Sequence, residues 1–339
     1  MSDTDIRLGI AEAEALIGRV LQQSGTTAAN AASVARALVA AEVDGQAGHG
    51  FSRVAAYAAQ AKSGKVVGDA VPRVGKGAAA LLNVDAGHGF AFPAIDAAID
   101  ALAELVPATG VAAALIRRSH HCGQLGAHVE RLADRGFLAL MMANSPPAMA
   151  PWGGAAALFG TNPIAVAAPR GDAPPLVIDL SLSRVARGKV MAASKMGKPI
   201  PEGWALDSEG RPTTDPDAAL KGTMLPAGDA KGAMLALIVE ILAGTLTGAN
   251  HSFEATSFFD AEGAPPGVGQ TLIAFDPART GGPGFADRLE ILLTAMTDQE
   301  GVRLPGSNRA ARRAAAVRDG VLIPAKLHAE IVALDTGAA

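Results

Sequence analysis

Apolar residues recur at helical spacing from Ile10 to about Ser63 and then give way to short apolar runs, so helices open the chain and a sheet follows. Alternating alanine and glutamate from Ala11, continuing to Leu21, predicts a first helix, which Gly25-Thr26-Thr27 interrupts. Thr27 suits the N-cap of a second helix running through Val43, and a third is expected over 52–62, before Ser63-Gly64. Near residue 72 the texture changes. Runs of strand length lie at 79–84, 111–116, 137–142, 164–167 and 176–179, with helical stretches at 92–105 and 123–135 between them. That alternation predicts an α/β core with buried strands. The Gly/Pro/Asp-rich stretch 197–226 carries little periodic structure. Beyond it come a strongly apolar helix over 231–246, a strand at 271–275, an amphipathic helix at 285–297 and a short helix at 324–332. No internal repeat is visible.

Composition narrows the class. With 339 residues, 49% hydrophobic and 18% charged, the chain is neither disordered nor short of a core. Its length suits one large or two ordinary domains. Glycine without a triplet period and a single cysteine exclude collagen-like and disulfide-stapled chains. Alanine is abundant and aromatics are only 4%, so elements should pack closely. A net charge of −4, with no concentrated basic stretch, argues against nucleic-acid binding. The densest basic cluster, 303–318, is interleaved with alanine and reads as a solvated helix face. No uninterrupted apolar segment reaches the roughly 18 residues a bilayer span needs. The acidic start Met1-Ser2-Asp3-Thr4-Asp5 lacks a signal-peptide pattern. These features lead us to expect a soluble cytoplasmic protein with no membrane and no nucleic-acid partner.

Candidate chemistry begins with what is missing. No G-x-G-x-x-G follows a strand and no phosphate-loop motif exists; Gly87-His88-Gly89 lacks the third glycine. Phosphate can still be held by other helix N-termini and by arginine. No metal is expected: His120, His121 and His128 are unsupported by an H-E-x-x-H or a cysteine pair. The lone Cys122 reads as a packing residue. His49 has the most informative setting, flanked by Gly48 and Gly50 with Arg53 one helical turn on. Such a pair suits an acidic substrate, the guanidinium gripping a carboxylate and the imidazole exchanging a proton. A turn with a surface histidine would read the same way. Thr161 and Asn162 stand before a buried strand, where they can bind a ligand or make an ordinary turn. Polar residues from Asp179 to Lys189 sit at a strand's C-terminal end, the usual ligand edge of α/β folds. Lys231-Gly232 opens the apolar helix, for anion binding or snorkelling. The turn from Arg303 to Arg309 fits a phosphate or an exposed loop.

In order along the chain, these segments resemble the malate/lactate dehydrogenase family that is unrelated to the Rossmann lactate dehydrogenases. The family includes sulfolactate and ureidoglycolate dehydrogenases, diketogulonate reductase, and reductases of pyrroline- and piperideine-2-carboxylate. The matching pieces are Gly48-His49-Gly50 with Arg53 and Tyr57, Ser119-His120-His121-Cys122-Gly123, Asn144-Ser145-Pro146, and Phe159-Gly160-Thr161-Asn162-Pro163-Ile164-Ala165. Asp179 to Lys189, Pro201-Glu202-Gly203-Trp204-Ala205-Leu206-Asp207, Pro212-Thr213-Thr214-Asp215-Pro216, Lys231-Gly232 and Arg303-Leu304-Pro305-Gly306 complete the set.

The resemblance implies a non-Rossmann, sulfolactate/malate dehydrogenase-like fold. A helical domain over 1–72, joined by C-terminal helices from about 285 to 339, would pair with a central mixed-sheet NAD(P)-binding domain over 73–284. It implies a homodimer with the active site near the subunit interface, and NAD or NADP as cofactor. His49 would be proton donor in reduction and acceptor in oxidation, with Arg53 and Thr161 holding the substrate carboxylate. His121, Cys122, Gly123, Gln124 and Leu125 would line the cofactor, as would Asp179, Leu180 and Ser181. Lys231 and the turn holding Arg303, Pro305, Gly306 and Arg309 would approach its phosphates.

Two departures shape the substrate expectation. Many members carry Ser before the catalytic His, where this chain has Gly48, which leaves Ser52 as the nearest substitute hydroxyl. The cyclic-imine reductases carry Asp where this chain has Lys189. With Arg187, that lysine favours an anionic 2-oxo or 2-hydroxy acid over a cationic iminium. The expected activity is hydride transfer at the α-carbon of such an acid; a cyclic ketimine reductase and a catalytically inactive binding protein of the same fold are the alternatives.

Overall fold

The computed structural model describes residues 5–280 and 284–337, so Met1 to Thr4 of the acidic start lie outside the described residues. The N-terminal unit runs β1 (Ile6–Leu8), α1 (Ile10–Gln23), α2 (Ala28–Val43) and α3 (Val54–Ser63). Local chemistry sets these bounds. The Glu12 carboxylate accepts the Gly9 amide at 2.8 Å at the start of α1, and Thr27 Oγ1 accepts the Asn30 amide of α2 at 3.4 Å, as an N-cap should. The helix expected over 52–62 starts later, because two tight 3-10 turns, Ala47–His49 and Phe51–Arg53, precede it. Gly50 is the reason: a Cβ there would lie 2.2 Å from the Glu42 carboxylate, which accepts the Phe51 amide at 3.0 Å.

The central unit continues β2 (Arg73–Ala78), β3 (Leu81–Asp85), α4 (Ala91–Thr109), β4 (Val111–Ser119), α5 (Leu125–Ala133), β5 (Leu138–Ala143), β6 (Ile164–Arg170) and β7 (Ala173–Leu180). The stretch expected to lack structure holds α6 (Arg187–Lys195), the two-residue strands β8 (Ala205–Leu206), β9 (Pro212–Thr213) and β10 (Thr223–Met224), and α7 (Pro216–Lys221). It is stitched by contacts too short-ranged to show as periodicity, such as the Asp215 carboxylate capping Asp217 at 2.9 Å. Then come α8 (Ala230–Val239), β11 (Val268–Phe275), α9 (Pro277–Thr280), α10 (Phe285–Thr297), α11 (Arg309–Asp319), β12 (Val321–Ile323) and α12 (Ala325–Asp335). β1 and β12 pair antiparallel, Leu8 opposite Val321. Three-residue strands of this kind carry no sequence signal. No helix among the described residues is long and apolar enough to cross a membrane.

Seven strands form one mixed sheet in the order β2-β3-β4-β11-β5-β6-β7. Only β3 and β4 run parallel; the other neighbours are antiparallel. The late strand β11 is threaded into the centre, with Gln270 opposite both Ile116 of β4 and Ala143 of β5. Helices α4 and α5 cover one face, their Ile95, Ile99, Leu102 and Val129 buried against Ala112, Ala114, Ala139 and Ala167. Small residues on the strands let the helices sit close, as the alanine content predicts. A second cluster joins α1, α2 and α3 to Ala316, Val321, Ile323 and Ile331 from the C-terminal segment.

The apolar helix expected over 231–246 is not uniform. It is α-helical to Val239 and widens into a π-helical segment, Glu240–Thr245. The wider turn lies directly on β11, where a Cβ on Gly269 would stand 1.9 Å from the Ala243 carbonyl oxygen. The Gly269 amide also donates to Asn144 Oδ1 at 2.9 Å. Gly269→Ala should therefore destabilise the protein by at least about 2 kcal/mol, since the methyl meets backbone that cannot swing away. Urea unfolding tests this, and an unchanged midpoint would show that the helix is not seated as tightly as described.

Candidate active site

His49 leaves the first 3-10 turn half-buried, and its imidazole stacks on that of His121 with centroids 5.1 Å apart and planes 12° from parallel. His49 Nδ1 stands 3.1 Å from His121 Nε2, and His121 Nδ1 stands 2.5 Å from the Tyr57 hydroxyl. Tyr57, on α3, is fully buried, which pushes its phenol well above its ordinary range and keeps it protonated. The three side chains form one hydrogen-bonded line with two possible internal orders. If Tyr57 donates to His121, His121 donates to His49, and His49 Nε2 carries a proton outward. If the line runs the other way, Nε2 is bare and can accept one. Burial, with the nearby Arg53 charge second, lowers the His49 pKa to about 4, so the imidazole is neutral at pH 7.

Arg53, one turn beyond His49, donates from Nε to the Gly48 carbonyl at 2.7 Å. Its Nη1 is buried without a partner, and among the described residues no carboxylate pairs with it. A cation kept unpaired beside a neutral imidazole suits an incoming anion. Ser52, the substitute considered for a hydroxyl at Gly48, donates to the Ala47 carbonyl at 2.6 Å, while His49 takes His121 as partner.

The strip after β4 lies against the end of β7. Asp179 Oδ2 accepts the Gly126 amide at 2.7 Å, so its carboxylate sits on the N-terminus of α5, with burial raising its pKa. Leu180 is exposed beyond it, and Ser181 hydrogen-bonds Ser183 Oγ at 3.1 Å. Cys122 is buried, its pKa pushed up to about 12 chiefly by burial, and Gly123 takes a left-handed φ of 67° against Phe92. Only glycine is accommodated at 126, where a Cβ would lie 2.6 Å from Arg309 Nη2 and 3.1 Å from Asp179 Oδ2, so Arg309 and the Asp179 carboxylate close over the N-terminus of α5.

Arg309 reaches this strip from α11, 3.4 Å from the Gln124 side-chain oxygen, and it also meets Asp44 and Glu130. Arg313 binds both oxygens of Asp44 and of Glu130, so the expected solvated basic face of α11 is partly spent on interior carboxylates. Gly306 packs 3.1 Å from the Val177 carbonyl by its added Cβ, while Arg303 and Pro305 are exposed. Lys231 is exposed in the first turn of α8.

Thr161 and its neighbours form a second hydrogen-bonded group. The Thr161 amide donates to Ser145 Oγ at 3.1 Å, and Asn162, at φ 40°, donates to the buried Glu240 carboxylate at 2.8 Å. Arg187 reaches the Pro147 and Leu220 carbonyls at 3.4 and 3.3 Å, and Lys189 is exposed on α6. Among the described residues no hydrogen bond or ion pair joins this group to His49 or Arg53. No cluster of His, Cys, Asp and Glu among the described residues is placed to hold a metal ion.

Sequence reasoning passed over several residues that shape the site. Phe258 packs on His120 and His121 with centroids at 5.1 and 5.3 Å, and Phe259 lies under Arg53. An adjacent phenylalanine pair in an aromatic-poor chain was the available signal. Asp44, Glu130 and Glu240 left none, since a buried carboxylate looks like a surface one until its partners are known.

A family model described as malate/L-lactate dehydrogenase matches residues 8–332. The chain is 55% identical over 306 residues to a (2R)-3-sulfolactate dehydrogenase (NADP(+)) of Chromohalobacter salexigens, covering 90% of this chain and 91% of that protein. It is 41% identical over 332 residues to a Delta(1)-pyrroline-2-carboxylate/Delta(1)-piperideine-2-carboxylate reductase of Pseudomonas aeruginosa, covering 97% and 99%. Among solved structures, the delta1-piperideine-2-carboxylate reductase of Pseudomonas syringae pv. tomato has a TM-score of 0.92 at 38% identity, covering 97% of this chain and 99% of that one. The sulfolactate dehydrogenase of Methanocaldococcus jannaschii has a TM-score of 0.89 at 28% identity, covering 98% and 97%. The mixed-sheet fold expected from the resemblance is the fold found.

The buried imidazoles make stability depend on pH. In the folded chain burial holds His49 and His128 at about 4 and His120 at about 3, against 6.5 when unfolded. The unfolded chain therefore binds protons that the folded chain refuses. The resulting stability is complete above pH 6.5 and is lost as pH falls toward 4. His120 has no hydrogen bond on either ring nitrogen and is packed among aromatics, so His120→Phe should fold. Over that window its stability-versus-pH slope should be shallower by about 1.4 kcal/mol per pH unit. Calorimetry at stepped pH checks this; an unchanged slope would remove His120 from the account.

Proposed function

The chain belongs to the malate/L-lactate dehydrogenase family, and within it we propose an NADP-dependent dehydrogenase interconverting a small anionic 2-hydroxy carboxylate and its 2-oxo form. The leading substrate pair is (2R)-3-sulfolactate and its oxo acid. The observation that carries this reading is the neutral His49 imidazole, in line with His121 and Tyr57, beside an Arg53 guanidinium with an unpartnered buried N–H. Arg53 takes the substrate carboxylate, and His49 Nε2 gives a proton to the carbonyl oxygen in reduction or takes one from the hydroxyl in oxidation. Thr161 is the second carboxylate ligand, and Arg187 and Lys189 add positive charge for an acidic side chain. The nicotinamide, when bound, supplies or accepts the hydride. His121 to Leu125, Asp179 to Ser181 and Arg309 hold it, with Lys231, Arg303, Pro305 and Gly306 toward its phosphates. The substrate choice draws on the 55% identical sulfolactate dehydrogenase and on the lysine at 189. The second reading, reduction of a cyclic ketimine, draws on the 41% identical reductase.

Purified protein should reduce sulfopyruvate with NADPH faster than oxaloacetate, pyruvate or the two cyclic imines; exclusive turnover of an imine would replace our choice with the second reading. His49→Ala should lower kcat by at least about 10²-fold, and unchanged turnover would remove it from the mechanism. Arg53→Met should raise KM for the oxo acid by at least about tenfold.

We also propose a homodimer. Met234, Leu235, Leu237 and Ile238 on α8 are 39–50% exposed, and Ile241 and Leu246 extend that apolar face. A second copy would cover it. Sedimentation should give a dimer, and the double variant Leu235→Asp/Ile238→Asp a monomer; an unaltered dimer would place the interface elsewhere.

A further inference from the structure

The connection between the π-helical segment and β11 crosses the candidate site as a strap. Phe258 turns inward, 5% exposed, onto His120 and His121, and Phe259 turns the other way, its ring centroid 4.4 Å from the Arg53 guanidinium carbon. The next residue ties the strap down. The Asp260 carboxylate accepts Lys65 Nζ at 2.9 Å, and its carbonyl accepts Lys65 Nζ at 3.2 Å and Gln60 Nε2 at 2.8 Å. Lys65 is 1% exposed and Asp260 is its carboxylate partner, so the tie is made where water screens one end only. On the far side the Thr256 hydroxyl closes the strap by donating to the Ala264 carbonyl at 2.7 Å.

Arg53 is thereby held at two places that are not substrate. Its Nε is bonded to the Gly48 carbonyl, and its guanidinium carbon lies over the Phe259 ring. A free arginine samples many rotamers, and most of that freedom is lost when it grips a carboxylate; a guanidinium already held over a ring loses less at that moment. The unpartnered Nη1 shows which part of the fork is left over.

We propose that Phe259 is a positioning residue for the substrate carboxylate: held by the Asp260–Lys65 tie, its ring restrains the guanidinium from which Arg53 presents its unpartnered N–H group. This rests on the reading that Arg53 binds that carboxylate. The ring acts on Arg53 and not on the reacting atoms, so its effect falls on the KM of the anionic substrate. Proton transfer through His49 and the hold on the dinucleotide are left alone.

Steady-state kinetics of the full-length protein, with the oxo acid and NADPH each varied, tests this. Phe259→Leu should raise KM for the oxo acid about 3- to 30-fold, the range of a partly desolvated cation–π contact, with kcat and KM for NADPH within about twofold. Phe259→Trp, which keeps an aromatic face, should restore KM. Asp260→Ala strands a buried ammonium and can fail to fold, so the double variant Lys65→Met/Asp260→Ala tests the tie without that charge; it should reproduce the KM rise. Three outcomes would overturn the proposal: Phe259→Leu with unchanged KM, no rescue by Trp, or kcat and both KM values moving together as in general damage. If Arg53→Met leaves KM unchanged, the underlying reading of Arg53 fails instead; an Arg53 effect without a Phe259 effect sinks only the positioning role.

Discussion

Asp44 closes α2 with its side chain 1% exposed, and a carboxylate so deep survives only if its lone pairs are occupied. Arg313 of α11 takes both of its oxygens at 2.8 and 2.9 Å, Gln124 donates to Oδ2 at 3.0 Å, and Arg312 donates to its carbonyl at 2.7 Å. Three pieces far apart in sequence are thus tied at Asp44: the helix leading into the His49 turn, the strip leading into α5, and α11. Glu130 of α5 makes the junction double by accepting the same Arg313 at 2.7 and 2.9 Å. Two anions and three arginines, Arg309, Arg312 and Arg313, meet here, which limits the desolvation cost that either acid alone would impose. The distance from the His49 turn to the strip before α5 is set here.

A second buried acid does similar work with neutral partners. Glu240, at the start of the π-helical segment, accepts from Asn144 at 3.2 Å, Asn162 at 2.8 Å and the Ser252 hydroxyl at 2.8 Å. Asn162 holds a left-handed φ of 40°, which a non-glycine residue keeps only where its surroundings over-determine it. The widened helix turn and the strained loop before β6 thus explain each other. Close seating of that turn on Gly269 depends on residues with little or no side chain, the same economy that gives the sheet its alanine-lined face.

Much of this was legible in the chain and some of it could not be. Periodicity located the principal helices and most sheet strands, and α10 lies over the residues expected, because a one-sided apolar stripe needs no knowledge of partners. The order of the sheet was not legible: β11 enters its centre from residue 268 onward, and nothing local announces a neighbour so distant. β2 was missed because all six of its residues are exposed, which leaves no alternation to read. In the candidate site, His49 and Arg53 showed themselves through spacing and flanking glycines. The line through His121 to Tyr57 did not, since it joins residues 64 positions apart. The strap was hidden for the opposite reason, its phenylalanines looking like ordinary core in a segment without periodicity.

Cys122 sits in the strip between β4 and α5, and burial pushes its thiol up to about 12. Only the thiolate reacts with peroxide, disulfides or electrophiles, and at neutral pH such a group spends roughly one part in 10⁵ of its time in that form. Sulfur in the strip is therefore shielded from oxidants by the same packing that shapes the strip, and the folded chain has no other cysteine to lose. Oxidation of this thiol would first require the packing around it to open.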